Sequence, residues 1–308
     1  MRQIALDAVR LWRGEPDSLR QVSASANHVF SFLASGQPLF LRLTSCRDRT
    51  LEQIEAELNF INYLHRGRVG VCLPVLSANG QGVETIQQGD VPLFACVFEE
   101  VEGECFTFGS NEANRQHFRL RGQTLGRIHA LARDYAPVAG RRRFGWEEDD
   151  LFRNIGRYLP QSEEIVWAEY FRLMDWLCAY PQNRDRFGLI HGDFGPTNFR
   201  YRNGALTVFD FDDSCYHWYA YDLAVTIYPH GWRKEAKGLM EALFEGYTQE
   251  VGSVDHTRNE LVQFCRLRQL YMFLNYAKRW GFKNISEQQR IWFAQKRDNI
   301  ARGYLLAT

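Results

Sequence analysis

The stretch His191-Gly192-Asp193-Phe194-Gly195-Pro196-Thr197-Asn198, followed a short hairpin later by Phe209-Asp210-Phe211-Asp212, decides how this chain is read. It sets a carboxylate able to take a proton beside an amide and a second carboxylate able to hold a divalent cation. Between them, Asn203-Gly204 is the dipeptide best suited to a two-residue type I′ turn, because both central residues need positive φ. Folding the chain about that turn sets Arg202 opposite Ala205. Counting outward sets Asn198 opposite Phe209, one position from Asp210. A strictly regular ladder would point Asn198 and Asp210 to opposite faces, so the ladder is expected to loosen or bulge at its open end. A few hard oxygen ligands that leave room for water and phosphate suit Mg²⁺. Asp193 lies five residues before Asn198, on a loop shaped by Gly192, Gly195 and Pro196, where it could orient and deprotonate a hydroxyl. The bland alternative is an Asx-capped loop followed by an exposed Asp.

The run from His191-Gly192-Asp193 through Asn198, with Asp210-Phe211-Asp212 in place of the kinase DFG, resembles the aminoglycoside phosphotransferase and choline kinase family, homoserine-kinase-like proteins included. The resemblance implies a protein-kinase-like fold. It implies that Asp193 is the catalytic base, that Asn198 and Asp210 bind Mg²⁺, and that His191 supports the loop. Asp222, in Tyr219-Ala220-Tyr221-Asp222, either caps a helix start or, by the same resemblance, ties down the loop's backbone. Asp212 stands at the DFG glycine position and could join a second Mg²⁺ or meet a cationic substrate.

The 308 residues and their 45% hydrophobic content are ample for a sizeable core. Thirty-seven basic and thirty-seven acidic residues cancel, so nothing global recruits nucleic acid or an anionic membrane. The run Arg141-Arg142-Arg143 reads as a solvated loop. Seven cysteines without CxxC spacing read as reduced, core-type thiols rather than a zinc site, which fits a cytoplasmic protein. The N-terminus lacks the pattern of a signal peptide, and no apolar run approaches spanning length.

Residues 1–100 are expected to form a nucleotide-binding lobe and 101–308 a catalytic, substrate-binding lobe. The first reads as a five-stranded antiparallel sheet with one helix, from β-rich runs at 18–22, 27–34, 38–44, 75–78, 83–87 and 92–98. The helix is predicted over 51–65, where Leu51, Ile54, Leu58, Ile61 and Leu64 recur at helical spacing. At about 100° per residue Glu57 falls inside that apolar arc, where a carboxylate needs a cation or donors. Alternation puts Arg42 opposite the leucine face of its strand and makes it the candidate. Such a strand cation and helix carboxylate reproduce the kinase pair that holds nucleotide phosphates, with Arg where kinases have Lys. The alternative is a purely structural pair.

Two further nucleotide contacts are expected. Ser23-Ala24-Ser25-Ala26-Asn27 lacks the usual glycines, but Ser25 and Asn27 could approach phosphate. By resemblance, backbone groups of Glu99 to Val101 form the hinge that meets adenine. The second lobe reads as mostly helical, with helices over 118–133, 162–180, 258–278 and 285–302, and His129 as a packed core histidine. Its aromatics, among them Trp218, Tyr219, Tyr221, Tyr228, Trp232, Tyr276 and Trp280, could wall an ammonium group.

With the resemblance, these observations imply an α+β, bilobal kinase-like enzyme that moves the γ-phosphoryl of ATP or GTP, with Mg²⁺, to a hydroxyl of an aminoglycoside-, choline- or homoserine-like molecule. The missing glycines and Arg for Lys motivate an alternative, a pseudokinase or nucleotide-binding scaffold. A protein Ser/Thr kinase fits less well, because Gly195 replaces the lysine of the protein-kinase loop and no APE-like segment follows Asp210.

Overall fold

The computed structural model describes residues 1–308 apart from 25–26, 88–90, 254 and 305–308. The chain opens with helix α1 (Arg2–Arg10), strands β1 (Glu15–Ala24), β2 (His28–Ala34) and β3 (Gln37–Ser45), and helix α2 (Leu51–Arg66). Strands β4 (Pro74–Val75), β5 (Glu84–Ile86) and β6 (Leu93–Glu99) come next, then helices α3 (Asn111–Ala132), α4 (Asp150–Arg153) and α5 (Glu164–Ala179). Short strands β7 (Phe187–Ile190), β8 (Phe199–Arg202), β9 (Ala205–Val208) and β10 (Cys215–Trp218) precede helices α6 (Tyr219–Ile227), α7 (Ala236–Val251), α8 (Asp255–Trp280) and α9 (Glu287–Arg302). The chain divides into two compact units. One takes in Met1–Phe106, Tyr135–Arg143 and Thr197–Asp212, and the other Thr107–Asp134, Phe144–Pro196 and Asp213–Thr308.

In the first unit an antiparallel sheet runs β1-β2-β3-β6-β4, with β5 also on β6. It has six strands rather than five because β4 and β5 share one edge of β6, β4 beside Phe98 and Val97 and β5 beside Ala95 to Leu93. Phe30, Phe32, Leu41, Leu43, Ala95 and Val97 bury one face against Ile4, Ala5, Ala8 and Val9 of α1 and against Trp12. Each large side chain buried there stabilises the unit by about 1.5–3 kcal/mol. Half of the stripe on α1 is alanine, so the helix is not visible in the sequence although the leucine face requires a cover. Across the sheet, α2 starts at a capping box in which Gln53 N donates to Thr50 Oγ1 and Thr50 N to Gln53 Oε1. The helix buries Ile54, Leu58, Ile61 and Leu64 together with Glu57.

The second unit is mostly helical. Helices α3 and α7 meet closely enough that a Cβ on Gly122 would run into the Leu243 carbonyl, and one on Gly246 into that of Arg119. Helix α6, short and buried at every position, and α7 add to the helices expected from periodicity. A helix buried on every side has no amphipathic stripe to reveal it. Antiparallel pairing of β7 with β10 delivers the chain from Ile190 directly into His191.

Several expectations change. Arg143 is 1% exposed rather than solvated. Cys72, Cys96, Cys215 and Cys265 are buried thiols, but Cys105 and Cys178 are exposed. Trp218 and Tyr219 are packed in the core, and Tyr276, Trp280 and Trp292 meet one another at tilted or edge-on ring angles. Among the described residues no helix is long and apolar enough to cross a membrane.

Candidate functional site

In the sheet unit Arg42 lies between Val29 and Cys96 in the ladder and reaches Glu57 on α2. Two parallel hydrogen bonds of 2.8 and 2.7 Å join the guanidinium to the carboxylate, and both side chains are buried. Burial alone would pull the guanidinium down; Glu57 outweighs it and holds Arg42 above its ordinary range. Among the described residues Arg42 Nε is buried without a hydrogen-bond partner. A buried donor left unpaired costs about 1–3 kcal/mol, which an added acceptor at this nitrogen would relieve.

Asp212 sits beside this pair. Its backbone oxygen accepts from Arg49 Nε and Nη2 at 3.3 and 3.0 Å and from Arg143 Nη2. Its carboxylate oxygen Oδ2 takes Asn27 Nδ2 at 3.1 Å and meets Arg49 at 3.4 Å, while Oδ1 is buried without a partner among the described residues. Burial would raise its pKa, but Arg49, Arg42 and Arg143 hold the carboxyl below the usual carboxylate range. Asp212 is thus neutralised by the protein's own cations, and Asn27 serves it too. Arg143 also donates to the Gln53 carbonyl at 3.0 Å and lies 3.9 Å from Glu57, a role no tri-arginine motif could announce. Ser25 lies outside the described residues.

The hairpin has the register drawn from its turn. Asn203 and Gly204 take φ of 51° and 79°, Arg202 faces Ala205, and Phe209 N donates to Asn198 O at 3.0 Å. The ladder then breaks at Asp210, whose φ of 65° turns the chain into the left-handed region. Asp210 is exposed, and Asn198, 8% exposed, accepts at Oδ1 from Thr197 Oγ1 at 3.2 Å. At the end of β6, Glu99 N donates to Leu73 O at 3.1 Å and Glu99 O accepts the weak Cys72 S–H at 3.2 Å. That carbonyl keeps acceptor capacity, and Val101 beyond it is half-buried. The hard oxygens of Asn198 and Asp210, with the orphaned Arg42 Nε and Asp212 Oδ1, fit a magnesium-nucleotide in chemical type.

In the helical unit the loop is held by a buried carboxylate. Asp222, on α6, accepts from His191 N and Gly192 N at 2.8 Å each, one oxygen apiece. It does not cap α6, which begins three residues earlier with Trp218 as N-cap. His129 Nε2 lies 3.1 Å from the same carboxylate, and its Nδ1 lies 2.9 Å from Tyr247 Oη. Burial pushes Asp222 up, but His129 and the loop N–H groups bring its carboxyl below the ordinary range. His191 is fully buried and accepts at Nδ1 from Asp193 N at 3.2 Å, which makes it a brace for backbone. Gly192 is held at φ 85°, and a Cβ there would strike the Asp213 carbonyl.

Asp193 emerges from this clamped loop with its side chain 34% exposed. Arg268 of α8 donates to its Oδ1 at 2.5 Å. Burial would lower Arg268; Tyr221, Asp193 and Tyr271 outweigh it and hold the guanidinium above its ordinary range. Sequence reasoning has no route to Arg268, which is 75 residues from its partner on a helix read only for its apolar stripe. A cavity of about 30 Å³ opens beside the loop, where Gly192, Asp213, Trp146, Asp149, Tyr221 and Tyr271 contribute to its lining. Trp146 Nε1 is buried there without a partner among the described residues.

Comparison with known proteins places this geometry. The model of the phosphotransferase enzyme family matches residues 18–257. The amicoumacin kinase of Bacillus subtilis (strain 168) is 25% identical over 315 aligned positions, which span 98% of this chain and 92% of that one. A solved amicoumacin kinase in complex with AMP-PNP, Ca²⁺ and Ami superposes with a TM-score of 0.91 at 26% identity, covering 97% of this chain and 93% of its own. A microcompartment-associated aminopropanol kinase gives 0.82 at 23% identity, over 97% of this chain and 95% of its own, and bears on the fold alone.

Proposed function

The chain belongs to the phosphotransferase enzyme family, and on that premise we propose that it is a small-molecule kinase moving the γ-phosphoryl of ATP, or of GTP, to the hydroxyl of an amino alcohol. The observation that carries this reading is the clamped loop. Asp222 fixes the backbone at His191 and Gly192, and the carboxylate of Asp193 remains partly exposed. Positioning of this kind supplies much of the rate in phosphoryl transfer, where little covalent work falls to the protein.

Asp193 accepts the proton of the acceptor hydroxyl. Arg268 holds one oxygen of that carboxylate and so fixes its rotamer, and Tyr221 and Tyr271 pack about the guanidinium in turn. Arg42 directs Nε at a phosphate oxygen while Glu57 occupies its other two nitrogens. Asn198 and Asp210 are the residues that would hold Mg²⁺, which when bound neutralises charge on the phosphates. The Glu99 carbonyl and backbone groups near Val101 meet the base. Support for an amine beside the acceptor hydroxyl comes from the small cavity at Gly192, where aromatic faces and the carboxylates of Asp149 and Asp213 suit an ammonium head.

The test is nucleotide consumption with Mg²⁺ across aminopropanol, choline, ethanolamine, homoserine, aminoglycosides and neutral sugars. The reading expects turnover that rises with an amino alcohol and is absent with its deaminated analogue. Nucleotide binding indifferent to Mg²⁺, with no turnover on any acceptor, would instead make the chain a nucleotide-binding scaffold.

A further inference from the structure

Asp222 holds the chain just before Asp193, and a second contact holds the chain just after it. Gly195 N donates to Asp193 O at 2.6 Å and closes a three-residue turn about Phe194. The Phe194 side chain is fully buried, its ring edge-on to His191 at 5.7 Å. Its carbonyl accepts from Arg121 Nη2 of α3 at 3.4 Å. Thr226 Oγ1 of α6 lies 3.3 Å from the same oxygen and 3.0 Å from Asp222 O, and its one hydrogen serves one of them at a time. The guanidinium is the charged donor at this carbonyl. The two sides of the loop are thus held with opposite polarity: a carboxylate takes the N–H groups of His191 and Gly192, and a cation meets the oxygen of Phe194.

A cation is a costly group to place here. Arg121 is 0% exposed, and its guanidinium lies 4.7 Å from the Phe118 ring centroid and 6.0 Å from that of Phe194. Carboxylates and phenols hold Arg42 and Arg268 above their ordinary range, whereas burial pulls Arg121 down to about 9. An apolar side chain of similar length would fill the space without desolvating a charge, so the loop contact is what accounts for an arginine at this position. Its base is rigid: Gly122, the next residue, packs so close to α7 that a Cβ would strike the Leu243 carbonyl.

We propose that Arg121 is a positioning residue for phosphoryl transfer, whose buried guanidinium holds the turn at Phe194 and thereby aims the Asp193 carboxylate at the acceptor hydroxyl. The inference rests on the phosphotransfer reading and adds this residue to it.

Arg121→Met, which keeps the length and removes the charge, tests it on the whole chain. The urea midpoint should equal or exceed that of the wild type, because a desolvated charge is gone. With ATP and the best acceptor, kcat should fall at least about tenfold while both KM values stay within about threefold, the pattern of a contact that acts on the transition state. Amide exchange followed by NMR should quicken at least about tenfold at Gly195 and stay unchanged at Gly192, which Asp222 holds. Arg121→Lys, which restores the charge, should recover part of kcat. Wild-type kcat in Arg121→Met, or unchanged exchange at Gly195, would overturn the proposal. So would a lowered urea midpoint with exchange quickened equally at Gly192 and Gly195, which marks a packing residue. A wild-type chain without turnover on any acceptor would instead fault the kinase reading, and exchange at Gly195 against Gly192 would then decide by itself whether Arg121 holds the turn.

Discussion

Asp212 and Asp222 are both buried aspartates, one in each unit, and they are neutralised in opposite ways. Asp212 is surrounded by guanidinium groups, and Arg49 and Arg143 both donate to its backbone oxygen, with Arg49 also reaching its carboxylate. Among the described residues Asp222 meets no arginine at hydrogen-bond distance. Its two oxygens collect two backbone N–H groups and one imidazole nitrogen. The difference teaches where each side chain matters. In the sheet unit, position along the chain does most of the work and the carboxylate adds charge balance; in the helical unit, the carboxylate itself holds the loop that presents Asp193.

Substitution should separate the two. Asp222→Ala strands two buried backbone donors and His129, and is expected to cost about 3–5 kcal/mol in urea unfolding and to abolish turnover. Glu57→Ala leaves Arg42 buried and uncompensated and should cost about 3 kcal/mol, with weakened nucleotide binding in calorimetry. Asp212→Ala keeps the backbone oxygen that Arg49 and Arg143 use, so about 1 kcal/mol is expected. A loss for Asp212→Ala equal to that of Asp222→Ala would erase the contrast.

The smallest effect is in pH. The Asp222 carboxyl is held below its ordinary value in the fold, so its contribution to stability is complete above the unfolded value of about 4 and is lost as pH falls through the folded one. Urea midpoints measured downward from pH 6 should therefore fall more steeply for the wild type than for Asp222→Asn below about pH 4. Parallel curves would show that Asp222 carries no such linkage.

What could be read without coordinates was local. Asn203-Gly204 dictates the register of β8 on β9, because positive φ at both residues leaves one way to turn. The Arg42–Glu57 pair follows from alternation on a strand and arc position on a helix, two periodicities fifteen residues apart. The partners that no period links stayed hidden: Arg143 to Asp212, 69 residues away, and Arg268 to Asp193. Arg143 even carried a misleading signal, since a run of three arginines reads as solvent-facing until one is seen to be buried. Asp222 was legible as a helix-start residue, but its true partners are backbone groups thirty and thirty-one residues earlier, which leave no trace in side-chain identity.

The account stands most directly on one carboxylate. Transfer of labelled phosphate from ATP to the best acceptor should fall by at least about a thousandfold in Asp193→Asn, while the affinity for ATP with Mg²⁺ stays within about threefold of the wild type. Undiminished transfer by Asp193→Asn would contradict it.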